Sequence, residues 1–168
     1  MGAYVTKPDA QKLSALIYRY VLMNRIEPWA IYDVRILLEA YSAKRAAIYS
    51  TDEELQRMRS LLTKMEDRSI SVNERRETDY EFHVAIAEAA QNPLNVVLVM
   101  AMRDVFIAMI EKGIFNQGGI EDACIRHGRI LKALEAHDPE AAEAAMIDHV
   151  KYSLEQVTKY DKKEHENK

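Results

Sequence analysis

A single cysteine, Cys124, leaves the chain without a partner for an internal disulfide, which favours a reducing compartment. Glycine and proline are scarce, five and four in 168 residues, and that argues against a fold built on hairpins and tight turns. Basic residues are not in excess: 23 lysines and arginines face 27 aspartates and glutamates, for a formal charge of −4. Such a chain is a poor candidate for gripping nucleic-acid phosphates by itself. No apolar run approaches the roughly 20 residues of a membrane-spanning helix, and the N-terminus shows no signal-peptide core. Internal repeats and low-complexity linkers are also missing. The expectation is a soluble, cytoplasmic protein of one domain, and the 48% hydrophobic content is enough for a sizeable core.

What is present is helical periodicity. Leu13, Leu16, Ile17 and Tyr20 follow the i, i+3, i+4, i+7 rule and predict a first helix near residues 9–24. A second starts after Pro28, where proline suits a first helical position. TDEE (51–54) and SVNE (71–74) are capping-box patterns opening a third and a fourth. Asn92-Pro93 opens a fifth that runs to Gly113, and a loop with NQGG (116–119) leads to a sixth near 120–136. Asp138-Pro139 caps a seventh that ends near Tyr160, before a charged, frayed tail over 161–168. The fold class is therefore all-α, an antiparallel bundle of about seven helices. Only the opening GAYVTKP (2–8) is unlike the rest, with a strand-like composition.

Several polar residues fall on apolar arcs. Asp79 and His83 share one with Phe82, Ile86, Ala89 and Ala90; His127 shares one with Cys124, Ile130, Leu131 and Leu134. His149 lies among Ala142, Ala145, Met146, Val150 and Val157, while His137 and His165 face no core. A buried, unpaired carboxylate costs several kcal/mol, so something compensates Asp79. One reading is a hydrogen-bonded polar core. The other is a divalent transition metal held by Asp79, His83, His127 and His149, since Asp and His one turn apart can reach one ion. Three nitrogens and an oxygen suit zinc or nickel, with manganese or iron as further candidates. Cys124 reads as a small core residue before a thiolate ligand.

Two arginines also face inward. Arg35 shares a face with Ile31, Leu38 and Ser42, and Arg103 with Val96, Met100, Ile107 and Ile110. Guanidinium suits bidentate carboxylate recognition, which makes both candidate effector-binding residues. The competing reading of Arg35 is an ion pair with Glu39 or Asp79. A metal with open positions could also activate water, so a metal-dependent hydrolase of helical-bundle fold is the alternative function. Glu81 and Glu88 fall on the outer face of their helix and supply no general base.

The segments DVRILLEAYSAKRAA, DYEFHVAIAEAAQNPL and RHGRILKALEAHDPEAAEAAMIDHV resemble the FadR-like C-terminal (FCD) ligand-binding domain of GntR-type bacterial transcription regulators. The resemblance runs from about Leu13 to Tyr160, within an effector-binding helical domain expected over residues 9–160. It implies an effector-sensing helical domain, not an enzyme, with one divalent metal per chain at Asp79, His83, His127 and His149. It implies that Arg35 helps hold a small mono- or dicarboxylic acid beside the metal and that two chains pair as a homodimer. Residues 1–8 then look like the end of a wing from a winged-helix DNA-binding domain absent from this chain, through which operator DNA would be bound. His137 departs from the pattern, where glycine is expected to close the sixth helix.

Overall fold

Local capping chemistry sets where the helices begin. In the computed structural model, which describes residues 10–113 and 120–166, the Thr51 hydroxyl accepts from the Glu54 amide at 3.3 Å. The Glu54 carboxylate accepts from the Thr51 amide at 2.8 Å. That reciprocal pair is the capping box that TDEE predicts. SVNE delivers half of one: Ser71 accepts from the Glu74 amide at 3.2 Å, but the Glu74 carboxylate turns to Lys64 at 3.3 Å. Asn92 and Asp138, each ahead of a proline, accept from the amides of Asn95 and Ala141.

Among the described residues there are eight helices: α1 Ala10–Met23, α2 Pro28–Tyr49, α3 Asp52–Glu66, α4 Val72–Ala89, α5 Pro93–Ala101, α6 Arg103–Gly113, α7 Ile120–Glu135 and α8 Pro139–Glu166. No strand occurs among the described residues. α8 runs past the end expected near Tyr160, so the charged tail continues the helix as far as Glu166. The expected wing remnant at residues 1–8 and the NQGG loop lie outside the described residues.

The eighth helix arises because the fifth expected one breaks at Met102, which has φ −88° and ψ 0°. Past the break, the Asp104 amide donates to the Ser14 hydroxyl at 2.9 Å, and Ser14 is buried on α1. A residue distant in sequence thus satisfies one of the amides that a helix start leaves open. No proline or glycine marks the spot.

The core is lined by small residues where helices approach closely. Ala40, Ala43, Ala46 and Ala47 on α2 are buried, and α2 makes its most extensive contact with α8. Larger side chains fill the space between α3, α4 and α7: Met58, Leu62, Phe82, Ile86, Ile130 and Leu134. α7 ends at His137 with φ +50°, the left-handed conformation in which glycine is favoured. The Asp138 amide reaches back to the Ala133 carbonyl and the His137 amide to that of Leu134, closing the helix. Histidine is kept there by a second contact, its Nδ1 lying 2.9 Å from the Ala47 carbonyl on α2.

Candidate metal centre

The arcs that bury the core also bring the inward polar residues together. On α4, Asp79 and His83 follow the same face as Phe82 and Ile86; His127 projects from α7 and His149 from α8. His83, His127 and His149 are all buried, and one nitrogen of each lies within 4.8 Å of the other two. Ring centres are 4.4 Å apart for His127 and His149, and 5.2 Å for each of the other pairs. Asp79 adjoins two of the three. Its Oδ1 is 3.3 Å from His127 Nε2, and its Oδ2 is 4.0 Å from His83 Nε2.

The hydrogen-bonded polar core is met only in part. His127 Nε2 sits 3.2 Å from His83 Nε2, but both nitrogens of His149 lack hydrogen-bond partners. Each such buried polar atom costs on the order of 1–3 kcal/mol. Burial pushes His127 down to about 4 against the pull of Asp79. Burial, with His127 and His83 alongside, holds His149 well below the ordinary histidine range. Both rings are therefore neutral at pH 7, the form that coordinates metals. Three imidazole nitrogens this close together could hold a metal ion.

Arg35 is fully buried and has a partner: its Nε donates to Glu39 Oε1 at 2.7 Å, one turn along α2. Burial alone would raise Glu39, but Arg35 and His83 outweigh it and hold the carboxylate at about 2. The guanidinium lies 5.1 Å from the Phe106 ring centre and 5.6 Å from that of Tyr32, and its Nη2 is 3.4 Å from His83 Nε2. Arg35 therefore does reach His83. Glu39 reaches the same ring, with Oε2 2.7 Å from His83 Nδ1. The sequence suggested Glu39 only as an ion-pair partner of Arg35; its spacing to Arg35 on one face was the available signal.

Arg103 is not brought there. It forks onto Glu77 at 2.5 and 2.6 Å, pairs with Asp104 at 3.0 Å and lies over the Tyr80 ring. The expectation assumed one continuous helix; the break at Met102 makes Arg103 the first residue of α6 and changes its face. Cys124 is half-buried and outside the cluster, and burial raises its thiol, which disfavours a thiolate ligand. An open cavity of about 630 Å³ is lined by Arg75 and Cys124, among others. Arg75 sits one turn before Asp79 and Cys124 three residues before His127, but none of the four expected ligands is among the residues lining this cavity.

A family model described as FCD domain matches residues 30–152. The chain belongs to the FCD domain family. Over 154 residues this FCD domain is 26% identical to the HTH-type transcriptional regulator LutR of Bacillus subtilis, covering 89% of the chain and 70% of LutR. It is 27% identical over 150 residues to the Glc operon transcriptional activator of Escherichia coli K12, covering 84% of the chain and 59% of the activator. A solved structure of a Streptococcus agalactiae GntR protein superposes with a TM-score of 0.64 at 23% identity, covering 90% of the chain and 62% of that protein. That likeness establishes a shared fold. The FCD domain thus spans about 60–70% of the length of these relatives.

Proposed function

We propose that this FCD domain is the effector-sensing part of a GntR-type transcription regulator. It holds one divalent transition metal at Asp79, His83, His127 and His149 and binds a small mono- or dicarboxylic acid there, with Arg35 matching the acid's charge. The observation that carries the reading is the buried three-imidazole cluster with its unpartnered ring nitrogens. Bound there, the ion would supply a Lewis-acid anchor for a carboxylate oxygen.

The domain is regulatory, not catalytic. A hydrolase would need a general base with a pKa near the working pH. Glu39, the carboxylate beside the cluster, is held at about 2 and paired with Arg35. Glu81 and Glu88 are exposed, and Glu88 pairs with Arg57. Operator DNA is bound through a separate helix-turn-helix domain of the regulator, in the cytoplasm. Among the described residues, no helix is long and apolar enough to cross a membrane.

The working unit is a homodimer. Val34, Leu37, Tyr41 and Ile48 form an exposed apolar stripe along α2, and Leu94, Val97 and Leu98 on α5 extend it. The Asn92 side-chain amide donates to the Tyr41 hydroxyl at 3.0 Å, joining the two helices into one face. Contiguous apolar surface of this kind marks association. Acid binding then needs only unequal affinity for two arrangements of the pair, typically about 1–3 kcal/mol, to alter operator binding. Native mass spectrometry of the purified domain tests the reading: one metal per chain and a co-purified acid are expected. Protein that neither carries nor takes up a divalent metal would overturn it.

A further inference from the structure

His83 differs from the other two imidazoles in what stands behind it. Both His149 nitrogens have no hydrogen-bond partner and His127 has the Ala123 carbonyl of its own helix, whereas His83 Nδ1 has a carboxylate oxygen of Glu39 at 2.7 Å. The opposite nitrogen, His83 Nε2, faces inward, 3.2 Å from His127 Nε2 and 4.0 Å from Asp79 Oδ2. A neutral imidazole carries one N–H. A carboxylate at Nδ1 favours the proton there and leaves the lone pair on Nε2, the side turned to the cluster. The contact is close but bent: neither Glu39 Oε2 nor His83 Nδ1 meets full hydrogen-bond geometry. Such contacts at functional sites tighten when the ligand arrives.

The other oxygen of the same carboxylate is also engaged. Glu39 Oε1 accepts from Arg35 Nε at 2.7 Å, and both side chains are about 2% exposed. One buried carboxylate, fixed on α2, therefore holds a histidine of α4 and the arginine proposed to meet the acid. Neither the FCD match nor the names of the relatives assigns Glu39 a role.

We propose that Glu39 is a positioning residue of the metal centre, which orients His83 through Nδ1 so that Nε2 coordinates, while its second oxygen fixes Arg35 beside the same ligand. The proposal rests on reading the cluster as a metal centre. It predicts that metal binding and acid recognition share Glu39 as a common support.

The test uses Zn²⁺ as probe, titrated against a chromophoric chelator. It compares wild type with Glu39→Gln and with the charge-neutral double variant Arg35→Met/Glu39→Gln. The double variant is included because Glu39→Gln alone strands a buried guanidinium and could fail to fold. In parallel, ¹⁵N-resolved NMR of the zinc-loaded proteins reads the protonation state of each His83 nitrogen. Wild type should show His83 protonated at Nδ1, with that proton shifted downfield by the carboxylate. Loss of a histidine's supporting partner typically lowers metal affinity by about ten- to a hundredfold, and both variants should show that drop together with loss of the downfield proton. Zinc affinity within about threefold of wild type in the double variant, well below that range, would overturn the role of Glu39 while leaving the metal centre standing. So would weaker binding with the His83 signature unchanged, since the loss would then come through packing. Wild type that binds no zinc would overturn the metal-centre reading itself, and this proposal with it.

Discussion

The ring of His149 lies 4.4 Å, centre to centre, from that of His127, and neither nitrogen of His149 has a hydrogen-bond partner. Two neutral imidazoles packed this way gain little from each other. A cation between them and His83 would satisfy nitrogens that the protein leaves bare. The purified domain should bind one divalent ion per chain, and replacing any two of Asp79, His83, His127 and His149 should abolish binding. At a hundredfold its dissociation constant the ion should add about 2.7 kcal/mol, a rise of a few degrees in Tm. Calorimetric melting with metal and with chelator checks this; equal Tm values would contradict it.

Metal-free protein should lose stability on mild acidification. His127 is held at about 4 when folded, against an ordinary value near 6.5 when unfolded. Below pH 6.5 the unfolded chain takes up a proton that the folded chain refuses until about pH 4, so stability falls as pH drops through that window. From His127 alone the loss should reach about 2 kcal/mol by pH 5. His149, shifted in the same direction, should add to it. Urea unfolding of chelator-treated domain at pH 7 and pH 5 measures the difference. A curve that is flat, or that rises on acidification, would show that these rings are not buried neutral.

Replacing Arg35 with Ala should weaken binding of a small carboxylate by about ten- to a hundredfold, since charged hydrogen bonds contribute roughly 1.5–3 kcal/mol. Arg35→Lys should recover only part, because an ammonium cannot reproduce the planar fork. Titration calorimetry of metal-loaded proteins against a panel of acids reads both effects. Equal affinities in wild type and Arg35→Ala would remove Arg35 from acid recognition.

The α2–α5 stripe makes a prediction of its own. Sedimentation should find the wild-type domain dimeric, and Leu37→Glu should shift it to monomer with metal content unchanged. Leu37 is 72% exposed, so the substitution disturbs no core packing. A Leu37→Glu variant that remains fully dimeric would place the interface elsewhere.

Much of this was readable from short-range chemistry. Asp79 and His83 are one turn apart on an arc with Phe82 and Ile86, and periodicity alone turns both inward. The starts at Thr51, Asn92 and Asp138 follow from side chains that bond amides three residues on. The break at Met102 was not readable, because the Ser14 hydroxyl that sustains it comes from another helix, 90 residues away. Arg103 was misplaced for the same reason: a face computed along an unbroken helix does not survive the break. Glu39 and His83 are 44 residues apart, and their meeting depends on how α2 packs against α4. Spacing could pair Glu39 with Arg35 but could not reveal its second contact.

The Ser14–Asp104 bond has a mechanical consequence. α1 packs on both limbs of the bend, α5 before Met102 and α6 after it, and Ser14 is fastened to the second limb. α6 packs in turn on α8, which carries His149, and its Phe106 lies against Arg35. The bend is therefore a joint with a lever clasped across it. If the angle between α5 and α6 changes, α1 cannot keep its seat on both and must swing with one of them.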